Sequence, residues 1–257
     1  MTGCAQRAGL SAGDRAMQKI GILGGVGWAS TVDYYRGIAE GASAHAAALG
    51  GTSPLLIPAI TIESVQQART RALRGVPGDE DSWSGFDAVF RDALLTLQNA
   101  GCDFAVIASN TPHARLHAIR QGVTMPILSI YEATAKATAT TGRPGALVLG
   151  TRVTMQSPNY GHALADQGVQ ANAEMAPADI DEMQAMIDDD FHGGASATAR
   201  ARLLRFCDAH GGSDTAILLA CTELPLAFPE HIDDPIFEAE GHLFVNPSAA
   251  HIQKKGK

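Results

Sequence analysis

Seven short runs of consecutive apolar residues, at 20–23, 55–60, 104–108, 127–130, 146–149, 215–220 and 243–245, constrain this chain more than any other feature. A strand that is apolar at every position, rather than at alternate ones, is covered on both faces. Between the runs lie segments of helical period at 29–48, 85–100, 131–141, 180–191 and 196–209. Strand and helix in alternation predict an α/β fold of mostly parallel sheets flanked by helices. The stretch 74–83 is rich in Gly, Pro and acid and is expected to be an exposed loop.

A weak internal repeat refines this. I-G-I-L-G-G at 20–25 resembles A-L-V-L-G-T at 146–151: each is a strand ending in Gly, then a polar turn into a helix that carries aromatic residues. Some 70 to 85 residues later each is followed by another apolar run that ends in a small polar residue, A-S-N-T-P-H at 108–113 and C-T-E-L-P at 221–225. Two copies of one unit predict two similar doubly wound lobes. Ligands of such sheets sit beyond the carboxyl ends of the strands, where helix N-termini converge. The expected division is residues 1–16 as a loosely attached extension, 17–128 with 238–257 as the N-terminal lobe, and 129–237 as the C-terminal lobe.

The balance of 27 acidic against 19 basic side chains gives a formal charge of −8, and no basic stripe is visible, which argues against nucleic acid as a partner. No apolar run is long enough to cross a bilayer. The first sixteen residues lack an apolar core of the secretory kind, and the four cysteines lack metal spacing, so the expectation is a cytoplasmic chain with reduced thiols. The loop G-I-L-G-G-V-G-W-A-S-T matches a dinucleotide fingerprint only imperfectly, and the acid expected about 20 residues on is missing. Backbone amides around Gly25 suit one small carboxylate better.

Two residues stand where chemistry is expected. Cys221 closes an apolar run and precedes Thr222 and Glu223; at a helix start its thiol pKa would be lowered by aligned backbone dipoles. Cys102 and Cys207 read as buried structural cysteines instead. Ser109, with Asn110 and Thr111, heads the matching helix of the first copy. Those residue types are also ordinary helix caps, but three hydrogen-bonding groups in a row exceed what capping needs. His113, one turn on, is a candidate partner for the Ser109 hydroxyl, or else a surface histidine.

Taken in order and spacing, G-I-L-G-G-V-G-W-A-S-T-V-D-Y-Y, S-N-T-P-H, L-G-T-R-V-T-M and C-T-E-L-P resemble the aspartate/glutamate racemase family, from about Ile20 to His251. The resemblance implies two pseudo-symmetric lobes with an active site between them, no cofactor, and a homodimer. It also implies two opposed proton-transferring residues, generally both cysteines, at the positions held here by Ser109 and Cys221. Asn110, Thr111, Thr151, Thr154 and Thr222 would grip the carboxylates and amine of a small dicarboxylic amino acid, with Glu223 on the ammonium. Removing the α-proton from one face and returning one from the other needs an acid and a base in opposition.

The chain departs from the family pattern in three places. Serine is a far poorer base than a thiol of pKa about 8.5, so the expected roles are Cys221 abstracting and Ser109 delivering. The segment after the second run lacks the family's polar motif; Arg69 or Arg71 is the candidate clamp for a distal carboxylate, since a guanidinium matches it bidentately. Asn246 stands where an acid is frequent. The expected function is therefore a cofactor-independent racemase of aspartate or glutamate. The alternatives are a one-cysteine relative that decarboxylates or isomerises a dicarboxylate, and a degenerate protein that only binds one.

Overall fold

The computed structural model describes residues 18–48, 57–172, 175–191 and 195–253. The predicted extension at 1–16 lies outside the described residues. Among the described residues, eight strands form two sheets. β1 (Ile20–Gly24), β2 (Ile60–Ser64) and β3 (Phe104–Ile107) make the first, in the order β2-β1-β3. β4 (Gly145–Gly150), β5 (Gln170–Ala171), β6 (Thr215–Ala220), β7 (Ile236–Ala239) and β8 (His242–Val245) make the second, in the order β5-β4-β6-β8-β7. All pairings are parallel except β7 with β8. The central trios, 2-1-3 and 5-4-6, are the same arrangement twice, as the repeat in the sequence predicts.

Continuous apolar strands find two covered faces. In β4, Leu147 and Leu149 enter one core and Ala146 and Val148 the opposite one; β6 divides likewise, with Ile217, Leu219 and Cys221 on the first side. In the first sheet, Leu23, Ala105 and Ile107 face one core while Ile20, Ile22 and Val106 face the other. This is the period-2 alternation of a strand with apolar neighbours on both sides.

The helices are α1 (Trp28–Ala48), α2 (Gln67–Ala72), α3 (Ser84–Asn99), α4 (Thr111–Ala114), α5 (Leu116–Ile119) and α6 (Ile130–Thr140). They continue as α7 (Arg152–Gln156), α8 (Asn159–Ala165), α9 (Pro177–Ala185), α10 (Ala197–His210) and α11 (Pro247–Gln253). A π turn, Met186–Asp190, extends α9. Among the described residues no helix is long and apolar enough to cross a membrane.

Several expectations shift. Residues 55 and 56 of the run at 55–60 lie outside the described ones, and among its described residues only Ile60 enters β2. Pro58 lacks an amide to donate, so pairing starts past it, with the Ile20 amide on the Ala59 carbonyl, and β2 runs on as an alternating edge strand. The run at 127–130 yields one bridge, Ile127 to Ala105, because Ser129 accepts from the Glu132 amide and caps α6 at Ile130. Residues 238–245 belong to the second sheet rather than the first lobe, since β8 hydrogen-bonds to β6. The helix that follows, α11, packs on both α1 and α6. Asn246 takes the cap of α11: its Oδ1 accepts from the Ser248 and Ala249 amides. The loop at 74–83 is not wholly exposed, because Trp83 is buried beneath the Arg115 guanidinium, 5.2 Å from its ring centroid.

Candidate active site

The carboxyl ends of β3 and β6, one from each sheet, open on the same narrow cavity, which is partly open to solvent. Ser109, Asn110 and Thr111 follow β3 into its wall, and Cys221, Thr222 and Glu223 follow β6. Thr151 enters from the end of β4, Val26 from the loop after β1, Gln67, Arg71 and Arg74 from α2 and just beyond it, and Ile187 and Asp188 from the π turn. A parallel sheet delivers all its strand ends to one side. Two such sheets face their ends to a shared cleft.

Asn110 presents a buried amide. Its Oδ1 accepts from the Tyr160 hydroxyl at 2.6 Å, while its Nδ2 has no hydrogen-bond partner among the described residues. With its oxygen turned to the Tyr160 hydroxyl, the amide has Nδ2 as its unused donor. Thr111 and Thr151, from opposite halves of the chain, bring their hydroxyl oxygens to 3.3 Å, and Thr154 backs Thr151 at 3.1 Å. Thr154 itself is buried behind the wall rather than in it.

Cys221 is 6% exposed and its thiol donates to Glu223 Oε2 at 2.9 Å; the Thr222 hydroxyl donates to the same oxygen at 2.6 Å. The expectation of a lowered thiol pKa is corrected. No α-helix starts at Cys221; a bend leads to a short 3₁₀ turn, Leu224–Ala227, so the aligned dipoles are missing. Burial, followed by the charge of the Glu223 carboxylate, pushes the thiol well above its ordinary range, with Arg74 opposing weakly. The resting site therefore carries a thiol, not a thiolate.

His113 is buried, not on the surface, and does not reach the Ser109 hydroxyl. Its Nδ1 lies 2.8 Å from the Ser109 backbone carbonyl and its Nε2 3.3 Å from the Ile130 amide. Nε2 also lies 3.4 Å from the Leu128 carbonyl, but the shorter Nδ1 contact, to a carbonyl that only accepts, favours the proton on Nδ1. Burial lowers its pKa, which keeps the ring neutral. It pins the end of β3 to the start of α6. Ser30 adds a second tie, donating to the Ala108 carbonyl at 2.7 Å.

Two further expected residues fall outside the wall. Gly25 has φ of 86°, and an added Cβ would meet the Val65 carbonyl oxygen at 2.1 Å. Its amide donates to Thr31 Oγ1 at 2.9 Å, so it is unavailable to a ligand carboxylate, and the glycine serves close packing of the loop. Arg69 is exposed on the far side of α2. The guanidinium groups in the wall are Arg71, on α2, and Arg74, just past its C-cap Leu73. Burial, together with repulsion by Arg71, lowers the pKa of Arg74, and its Nε has no partner among the described residues. The cluster of three arginines in R-T-R-A-L-R, 69–74, was the available signal. Asp188 and Tyr160 had none beyond residue type.

A sequence model of the Asp/Glu/hydantoin racemase family matches residues 23–254, and the chain belongs to that family. The family is one of racemases, which are isomerases. The chain is 35% identical to the broad specificity amino-acid racemase RacX of Bacillus subtilis (strain 168) over 77 residues. That match covers 30% of this chain and 34% of the relative, so it spans about a third of the relative's length. A Yersinia pestis structure assigned to the Asp/Glu racemases superposes with a TM-score of 0.70 at 25% identity, over 93% of this chain and 98% of that one. An aspartate racemase homologue from Pyrococcus horikoshii superposes at 0.65 with 23% identity, over 93% and 97%, a likeness of fold.

Proposed function

We propose that the chain racemises an acidic amino acid, aspartate or glutamate, by proton transfer on both faces of the α-carbon, without a cofactor. What carries the reading is that Ser109 and Cys221, from the ends of equivalent strands in the two halves, line one cavity. In it the Cys221 thiol first passes its proton to Glu223, the carboxylate already accepting it. The thiolate then takes the α-proton from one face and Ser109 delivers a proton to the other; Glu223 returns its proton to solvent and Ser109 is reprotonated from solvent, so the site ends as it began. One C–H bond breaks and one forms. The charge that develops in the substrate carboxylate falls to Asn110 Nδ2 and the hydroxyls of Thr111 and Thr151, fixed donors in a largely dry wall. Arg71 and Arg74 take the distal carboxylate in place of Arg69. Glu223, engaged with the thiol, serves proton transfer rather than the substrate ammonium.

A homodimer belongs to this reading, favoured by the exposed stripe Trp28, Val32 and Tyr35 at helical spacing on α1. The protonated state of Cys221 favours one second reading, a decarboxylase in which the thiol protonates a carbanion from a single face. Incubating each enantiomer of Asp and Glu in deuterated water, with chiral chromatography, tests the first: α-deuterium should enter and both enantiomers appear. Exchange that survives Cys221→Ser but not Ser109→Ala would reverse the assignment, and turnover of a substituted malonate in place of racemisation would favour the second reading.

A further inference from the structure

We propose that Asp188 sets the selectivity of the cavity's outer end by holding Arg71 where a substrate's distal carboxylate would otherwise bind. The inference rests on the acidic-substrate reading above. Asp188 sits in the π turn, which carries one residue more per turn than an α-helix and so shifts Asp188 from the phase of an unbroken helix. Its Oδ1 accepts from an Arg71 amine of the guanidinium at 3.2 Å, and its Oδ2 accepts from Gln184 Nε2 at 2.8 Å. Gln184 is anchored in turn, accepting the Arg152 amide at 2.9 Å, beside Thr151. Asp188 is thus a carboxylate held at a defined place by the second half of the chain and offered to a cation of the first half, with both partners in the cavity wall.

The geometry makes this pair exchangeable. A single contact of 3.2 Å is longer than a charge-assisted bond of about 2.7–2.9 Å, and both side chains are over a third exposed. A ligand carboxylate placed between Arg71 and Arg74 gains two guanidinium groups and displaces Asp188, whose like charge opposes its entry. An amino acid with a neutral side chain leaves the pair intact. Asp188 therefore narrows the preference for acidic over neutral ligands, while it keeps Arg71 from standing as an unpaired charge in the empty cleft.

The test is calorimetric binding of succinate and glutarate against acetate, which needs no turnover. Asp188→Asn should bind both dicarboxylates about two- to fivefold more tightly than the unaltered protein, the scale of one partly exposed ion pair, with acetate unchanged. The gain should shrink in about 0.5 M salt. Asp188→Ser is the second variant and should behave alike. Unchanged or weaker dicarboxylate binding by both variants overturns the proposal. So does tight binding of a diamino acid that is lost in both, because Asp188 would then be gripping a ligand cation. Failure of the unaltered protein to bind any dicarboxylate would remove the acidic-substrate reading itself, and this inference with it.

Discussion

The hydroxyl of Tyr160 touches neither face of the cavity, yet its removal should be felt in substrate binding. Tyr160 and Asn110 are both nearly fully buried, and the Tyr160 hydroxyl is the donor that Asn110 Oδ1 accepts from at 2.6 Å. In Tyr160→Phe that oxygen loses its donor, a cost of about 1–3 kcal/mol for a buried acceptor. The amide can recover part of this by turning over, which would present its oxygen, instead of Nδ2, to the substrate carboxylate. The first outcome lowers stability and loosens the amide, the second turns a repelling oxygen on the substrate, so both weaken ligand binding and the transition state. At about 1.4 kcal/mol per decade, kcat/KM should drop about 5- to 150-fold, with KM carrying much of it. The ring keeps its edge-on contact with Tyr131, 4.5 Å between centroids, so the melting temperature should fall only by what the unpaired oxygen costs, about 2–4 °C per kcal/mol. The assay is racemisation followed by chiral chromatography in a double-mutant cycle with Asn110→Ala. If Tyr160 acts only through Asn110, adding Tyr160→Phe to Asn110→Ala costs about threefold at most. Independent, multiplying losses, or a fall in stability with KM unchanged, would refute the positioning role.

Three other outcomes follow from the same coordinates. Burial and Glu223 hold the Cys221 thiol protonated, and Glu223 rather than solvent takes its proton for turnover, so α-proton exchange should stay level from neutral pH up to the usual thiol range near about 8.5, and iodoacetamide should label Cys221 slowly at neutral pH; exchange that climbs about tenfold per pH unit across neutrality contradicts this. The raised pKa stabilises the fold fully below the unfolded thiol's pKa and ceases to do so as pH rises towards the folded one, so Cys221→Ala should flatten part of the alkaline loss in thermal melts. Arg115 forms a two-pronged pair with Asp87, both side chains under 9% exposed, and Arg115→Ala, which strands the carboxylate, should cost about 3–5 kcal/mol, read as a fall in Tm of about 6–20 °C. Arg36→Ala, whose partner Asp233 is exposed, should cost under about 1 kcal/mol. Gly25→Ala should reduce soluble yield and activity far more than Gly78→Ala, since both glycines have φ near 87° but only Gly25 has backbone within reach of a Cβ; equal losses in a melting assay would place the cost in φ alone.

Much of the fold was legible from local pattern. The unbroken apolar runs at β1, β3, β4 and β6 could only be strands covered on both faces, and five helical segments lie within a few residues of their expected ends. Misreadings came where a short-range rule competed with the run: Pro58 delaying β2, and Ser129 with Glu132 turning Ile130 into a helix start. Of the expected site residues, Ser109, Asn110, Thr111, Thr151, Thr222, Glu223 and Cys221 line one cavity, because each follows the carboxyl end of a strand, a place that sequence can mark. Arg69 and Gly25 do not, since which face of a six-residue helix turns inward, and which atom an amide meets, depend on what packs against them.

The amino-acid sequence by itself determined the layered repeat, the family and the two strand ends that carry a thiol and a hydroxyl, because apolar continuity and residue order are local properties. Only the tertiary structure decided that β8 joins the second sheet, that Arg71 and Arg74 face the cleft, that Asn110 offers its Nδ2, and that Cys221 keeps its proton. Each of these depends on a partner distant along the chain or on how much water is excluded, and both are set only when the two halves close on one another.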